Sequence, residues 1–210
     1  MRNTAINKDV QVNLTPDNVL QDLLEGNNRY VNNELEEVSH LDLVKQTITG
    51  QYPKAVVLSC IDSRVPVEQV FDQSVGDIFV ARVAGNFENL DILGSLEYSC
   101  AVAGSKLVFV LGHESCGAVK AACDGVELGN ITAMLENIIP AVKKSSEEVD
   151  GENNSTNKEF VAKTVENNVL LTINRIKERS GILSEMVDNG EIAIVGGVYS
   201  LQTGKITLLT

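Results

Sequence analysis

Four short runs, Ala55-Val56-Val57-Leu58, Ile78-Phe79-Val80-Ala81, Leu107-Val108-Phe109-Val110-Leu111 and Ile192-Ala193-Ile194-Val195, are continuously apolar rather than alternating. A strand with one wet face alternates apolar and polar residues. A continuous run suits a strand covered on both faces, as in a parallel sheet flanked by helices. Segments with helical spacing of apolar residues separate the runs, over about 89–103, 116–124, 131–145 and 159–179. This alternation predicts βαβ units joined by right-handed crossovers. Ile206-Thr207-Leu208-Leu209 follows the turn Gln202-Thr203-Gly204 and reads as an antiparallel edge strand. The predicted fold class is α/β: a mainly parallel sheet of about four strands plus that edge strand, flanked by helices.

An N-terminal helical arm precedes the sheet. Thr15-Pro16-Asp17 combines an N-cap, a proline at the first helical position and an acid at the positive end of the helix dipole. Val19, Leu20, Leu23, Leu24, Tyr30 and Val31 continue at roughly helical spacing, and a second helix over about 41–49 ends at Gly50. Residues 1–14 are polar and expected to be flexible. Residues 143–158 read as a solvated internal loop, because too little chain follows for an independent core. A length of 210 residues predicts a single domain over 1–210.

Charge narrows the partners. Lys plus Arg is 17 and Asp plus Glu is 29, a net charge of −12. Such a surface repels phosphate backbones and anionic lipid, so neither nucleic acid nor membrane is an expected partner. No apolar run approaches the ~20 residues that span a bilayer. The segment Met1 to Lys8 lacks the apolar stretch of a secretory signal, and a cytoplasmic location is expected. Four cysteines are too few for a disulfide scaffold and read as thiols or ligands. His40 and His113 are the only histidines, which excludes a three-histidine metal site.

Ligands of open parallel α/β sheets bind beyond the carboxyl ends of the strands. The first predicted strand runs into Ser59-Cys60-Ile61-Asp62-Ser63-Arg64-Val65-Pro66, and the third into Gly112-His113-Glu114-Ser115-Cys116-Gly117. If these strands are neighbours, Cys60, His113 and Cys116 converge. A buried thiol or a satisfied core histidine accounts for any one of the three residues. Their joint placement at strand ends points instead to a metal. Two thiolates and one imidazole suit Zn2+, and three protein ligands leave a fourth position for water, as in catalytic zinc sites. Cys100 and Cys123 fall within helical patterns and read as buried thiols, and His40 as a helix-start or surface residue.

The motif Cys60-Ile61-Asp62-Ser63-Arg64 with His113-Glu114-Ser115-Cys116-Gly117 resembles the β-class carbonic anhydrases, whose pattern is Cys-x-Asp-x-Arg and then His-x-x-Cys-Gly. The likeness extends to Gln51-Tyr52-Pro53-Lys54, to Gly76 through Asn86, to Leu96-Glu97-Tyr98, and to Gly197-Val198-Tyr199 with Thr203-Gly204. It implies reversible hydration of CO2 to bicarbonate and a proton by attack of a zinc-bound hydroxide. Cys60, His113 and Cys116 are the implied zinc ligands, and Asp62 and Arg64 the family's catalytic pair. Gln51, Phe79, Ala84 and Tyr98 are implied around the CO2/bicarbonate pocket, some of them reached across a dimer interface, while Gly117 on its own chemistry lets a helix start approach the site, where its N-terminus favours bicarbonate. A homodimer or dimer of dimers is implied as well.

The physical reading agrees. Two thiolates cancel the charge of the ion, so the nucleophile needs support from its surroundings. Asp62 can accept its proton in a hydrogen bond, and Arg64 can keep Asp62 ionised and off the metal. Apolar CO2 needs a dry slot, for which Phe79 and Tyr98 are candidates. Some relatives carry a second, inhibitory bicarbonate site that uses a Trp, an Arg and a Tyr. Arg82 and Tyr199 are present here, but position 57 is Val and the chain has no Trp, so that switch is expected to be absent or weak. Two alternatives use the same residues. One is hydrolysis of CS2 or COS. The other is a non-catalytic, zinc-stabilised bicarbonate-binding protein, which predicts a closed site with Asp62 or Cys123 as fourth ligand.

Overall fold

All five expected strands are present in the computed structural model, which describes residues 4–209: β1 (Ala55–Ser59), β2 (Ile78–Arg82), β3 (Leu107–His113), β4 (Ala193–Tyr199) and β5 (Ile206–Leu208). They form one sheet in the order β2-β1-β3-β4-β5. The first four pair in parallel, and β5 adds antiparallel to β4. The inner strands β1 and β3 are buried at every residue, as their unbroken apolar runs require.

Ten α-helices cover the sheet and its ends: α1 (Lys8–Val12), α2 (Pro16–Val31), α3 (His40–Gln46), α4 (Val67–Val70), α5 (Leu90–Glu97), α6 (Gly117–Cys123), α7 (Gly129–Leu135), α8 (Ile139–Glu148), α9 (Lys158–Arg179) and α10 (Gly181–Asp188) among the described residues. A π-helical segment, Tyr98–Val102, extends α5. On one face, Val56, Leu58, Val108, Val110 and Ile194 pack with Leu93 and Leu96 of α5, Val169, Ile173 and Ile176 of α9, and Leu183 of α10. On the other, Val57, Leu107, Phe109 and Leu111 pack with Val19 and Leu23 of α2 and Val67 and Val70 of α4. Each buried side chain of this kind contributes about 1.5–3 kcal/mol relative to exposure.

Local signals start the long helices. Thr15 accepts the Asn18 N–H at 3.2 Å, and Asn157 accepts the Phe160 N–H at 3.2 Å. Helix α9 lies very close to the sheet because two strand positions have no side chain. A Cβ on Gly196 would stand 2.4 Å from Val169 Cγ1, and one on Gly112 would stand 2.7 Å from Val169 Cγ2.

Several expectations need correction. The N-terminal segment is not loose from Lys8 onward: α1 is capped by Asn7, and buried Gln11 donates to the carbonyls of Pro53 and Ala103 at 2.7 and 2.8 Å. Residues 1–3 lie outside the described residues. The solvated loop expected over 143–158 begins later, because Lys143 to Glu148 complete α8, and only 149–157 connect it to α9. The single helix expected over 131–145 is two, α7 and α8. Pro140 stands in the first turn of α8, where its missing N–H costs nothing, whereas inside a continuous helix it would break the ladder. Helix α3 ends at Gln46 rather than near Gly50. Helix α10 is an addition, capped by Ser180, whose hydroxyl accepts the Leu183 N–H at 3.2 Å.

Candidate metal centre

The strand order creates the site. After β1 the chain moves to one flank for β2, then passes back over β1 to place β3 on the other flank. The connections leaving β1 and β3 therefore diverge and open a crevice beyond their carboxyl ends, where α/β sheets bind ligands. Ser59 pairs with Leu111 in register, so Cys60, directly after β1, faces the end of β3. His113 is the last residue of β3, and Cys116 occupies the N-cap of α6. Between them Ser115 takes φ +54°, the left-handed turn that swings Cys116 back toward the strand ends.

Cys60, His113 and Cys116 are all buried, and their ligand atoms all lie within 4.8 Å of one another. The two sulfurs are 3.9 Å apart. His113 Nδ1 lies 2.9 Å from the Glu114 carbonyl oxygen, which can only accept, so the ring proton belongs on Nδ1 and the lone pair on Nε2. That Nε2 is buried and has no hydrogen-bond partner among the described residues. A lone pair left unpartnered in the interior beside two sulfurs is what a cation would satisfy, so the donor set fits a metal. The hydrogen bond from Cys116 holds the Cys60 thiol well below its usual range, and the same bond with burial drives Cys116 upward. The pair thus favours a thiolate at Cys60, and metal binding would release the remaining proton.

Asp62 and Arg64 form a fork beside this cluster. Arg64 donates from its backbone N–H and Nε to Asp62 Oδ1, both at 2.9 Å, and from NH2 to Oδ2 at 2.7 Å. The guanidinium holds the Asp62 carboxyl below the usual carboxylate range. Asp62 Oδ2 is 3.9 Å from His113 Nε2, close to the ligand cluster yet already taken by Arg64. The group of potential ligands is Cys60, His113 and Cys116, without Asp62 or Cys123. Cys123 instead faces the Thr164 hydroxyl at 3.9 Å.

The remaining candidates fall in two places. Ala84 immediately precedes Gly85, whose N–H points at Cys60 Sγ from 3.4 Å, so it borders the cluster. Gly117 opens α6 beside Cys116, and a Cβ there would meet nothing within 4 Å. Gln51 lies in the loop before β1, at the opposite end of that strand from Cys60. Phe79 lies near the start of β2, with its ring 6.3 Å from that of Tyr98. Together Phe79 and Tyr98 line an open groove of about 690 Å³ along β2 and α5, apart from the Cys-His-Cys cluster of the same chain.

Sequence reasoning placed Arg82 only in a regulatory context. Its guanidinium clamps the loop after β1, with Nε on the Cys60 carbonyl at 2.8 Å and NH2 on the Asp62 carbonyl at 2.7 Å. The second bicarbonate site, whose absence or weakness the missing Trp predicts, would also use positions 57 and 199. Val57 is buried in β1, and the Tyr199 hydroxyl is 3.2 Å from that of Tyr30.

The family model described as carbonic anhydrase matches residues 55–206. A protein of Mycobacterium tuberculosis (strain CDC 1551 / Oshkosh) named carbonic anhydrase 2 is 36% identical over 196 residues, covering 89% of each chain. The solved structure of a Coccomyxa β-carbonic anhydrase in complex with acetazolamide superposes with a TM-score of 0.71 at 25% identity, covering 90% of this chain and 86% of that one. A tetrameric β-carbonic anhydrase from the ascomycete Sordaria macrospora has the same fold, with a TM-score of 0.72 at 22% identity over 91% of this chain and 97% of that one.

Proposed function

The chain belongs to the β-class carbonic anhydrase family, and from that premise we propose that it catalyses reversible hydration of CO2 to bicarbonate and a proton at a zinc ion held by Cys60, His113 and Cys116. The observation that carries this reading is the buried, unpartnered His113 Nε2 beside two sulfurs. Two thiolates with one neutral imidazole are a donor set that favours zinc over the hard cations. Zinc, when bound, supplies the Lewis acidity that makes a water oxygen nucleophilic near neutral pH.

The chain's own groups then direct the reaction. Asp62 accepts the proton of the attacking oxygen in a hydrogen bond, which aims a lone pair at the CO2 carbon. Arg64 holds both carboxylate oxygens, so Asp62 stays ionised and does not close the site as a further ligand. Arg82 restrains the carbonyls on either side of this machinery. Ala84 supplies an apolar wall, and Gly117 leaves open space where bicarbonate approaches the start of α6.

Gln51, Phe79 and Tyr98 serve the pocket of a second copy, in a homodimer or a dimer of dimers. Their distance from the cluster within one chain and the tetrameric Sordaria relative both support this. No helix among the described residues is long and apolar enough to cross a membrane. The cytoplasm is the compartment we assign, a reading supported by four cysteines standing as thiols.

The test is metal analysis of the purified protein combined with stopped-flow CO2 hydration across neutral and alkaline pH. One zinc per chain with pH-dependent hydration is expected. A folded, metal-free protein inert toward CO2 would overturn the reading, and sulfide release from CS2 or COS without CO2 hydration would redirect it.

A further inference from the structure

Helix α9 buries a polar side chain on the face that packs against the sheet. Asn168 is buried, beside Val165, Val169 and Thr172 on the helix face that covers the sheet. Its Oδ1 has no hydrogen-bond partner among the described residues. A leucine would fill similar space without stranding a polar atom, so this asparagine breaks a packing rule that core positions ordinarily obey. Its Nδ2 shows what the exception achieves. It donates to the Gly85 carbonyl at 2.7 Å, and because that carbonyl can only accept, the orientation of the amide is settled.

Gly85 belongs to the turn after β2, closed by the Asn86 N–H on the Val83 carbonyl at 3.0 Å. At φ +84° it occupies the third position of that turn, where positive φ calls for glycine. A Cβ there would also stand 2.5 Å from Ile138 Cδ1. So built, the turn aims the Gly85 N–H at Cys60 Sγ from 3.4 Å.

We propose that Asn168 is a positioning residue for the ligand Cys60: by holding the Gly85 carbonyl, it keeps the Gly85 N–H on the Cys60 sulfur. The proposal rests on the reading of Cys60 as a metal ligand. An N–H donated to a ligating thiolate draws electron density from the sulfur. The sulfur then gives less to the ion, which remains the stronger Lewis acid. A site with two thiolates gains most from this, because thiolate donation is what weakens its acidity.

The test uses the full chain loaded with cadmium-113, read by NMR. Scalar coupling to cadmium is expected at the Cys60 β-protons, through the metal–sulfur bond, and at the Gly85 amide proton, through the N–H···S bond. A further coupling is expected across the bond from Asn168 Nδ2 to the Gly85 carbonyl. Asn168→Leu, which keeps the volume and removes the donor, should retain the Cys60 coupling and weaken or lose that of Gly85. Because the Cys60 sulfur would no longer be held in place by the turn, the variant should also weaken zinc binding about 10–100-fold in a chelator competition, a loss of positioning that outweighs the stronger donation of a freed sulfur. Cys60 coupling without Gly85 coupling in the unaltered protein overturns this inference alone. Absent Cys60 coupling overturns the metal-site reading and this inference with it. Unchanged Gly85 coupling and unchanged zinc affinity in Asn168→Leu also count against it. If that variant does not fold, the two couplings in the unaltered protein decide.

Discussion

His113 donates Nδ1–H to the carbonyl of its own neighbour, Glu114, across 2.9 Å, and so turns an unprotonated Nε2 toward Cys60 and Cys116. Glu114 is itself held. Its Oε2 accepts the Ser200 hydroxyl at 3.0 Å and the Leu201 N–H at 2.9 Å, which fixes the end of β3 against the turn after β4. The tautomer of His113 is therefore set by a backbone contact that the sheet keeps in place.

Loss of a sulfur should remove the metal and the activity together. Cys60→Ser leaves a hydroxyl where zinc prefers a thiolate. We expect zinc per chain, measured by atomic absorption, to fall close to zero, with hydration at the buffer rate. Because Cys60 packs in a cluster with Phe87, Cys116 and Val119, circular dichroism should accompany the assay to show that the fold persists.

Asp62→Asn should separate binding from catalysis. The amide keeps the size of the side chain but loses the charge that Arg64 holds. Zinc content should be unchanged, and kcat for hydration should fall by about 10²–10⁴-fold, the usual worth of a positioned proton acceptor. Full activity in that variant would remove Asp62 from the mechanism.

Cys100 should be inert in the native protein. It lies in the π-helical segment after α5, and burial pushes its thiol up to about 12 from an ordinary value near 9. A raised thiol pKa means less thiolate at every pH below it, so iodoacetamide labelling should stay slow well above pH 9 and be complete after unfolding. Rapid native labelling of Cys100, read by peptide mass, would contradict the burial.

Gly196→Ala should destabilise the protein without touching the site chemistry. The added methyl would meet Val169 Cγ1 at 2.4 Å and Ile173 Cδ1 at 2.7 Å. Val169 is β-branched on a helix and has few rotamers to escape into. The expected cost is about 1–3 kcal/mol, read as a shift in urea midpoint. Zinc should still bind once the protein has folded.

Much of this molecule is written in local pattern. The apolar runs at 55–58 and 107–111 name the two inner strands, because burial on both faces leaves no room for alternation. Thr15-Pro16-Asp17 names the start of α2, because capping is settled within one turn. The types of residue at Cys60, His113 and Cys116 name the chemistry, because few ions take two sulfurs and an imidazole. The break between α7 and α8 was a local signal as well, since Pro140 cannot stand inside a continuous helical ladder, and the helix expected over 131–145 runs across it.

What tertiary structure alone decided is adjacency. That β3 lies beside β1 rather than beyond β2 follows from the path of two crossovers, and only that order brings Cys60 to His113 and Cys116. The hold of Arg82 on the Cys60 and Asp62 carbonyls, and of Asn168 on Gly85, spans strands and helices distant in the chain. Composition and periodicity report how each segment meets water, a local property. Which segments meet each other depends on the packing of the whole sheet and its helices, and the geometry that gathers Cys60, His113 and Cys116 belongs to that packing.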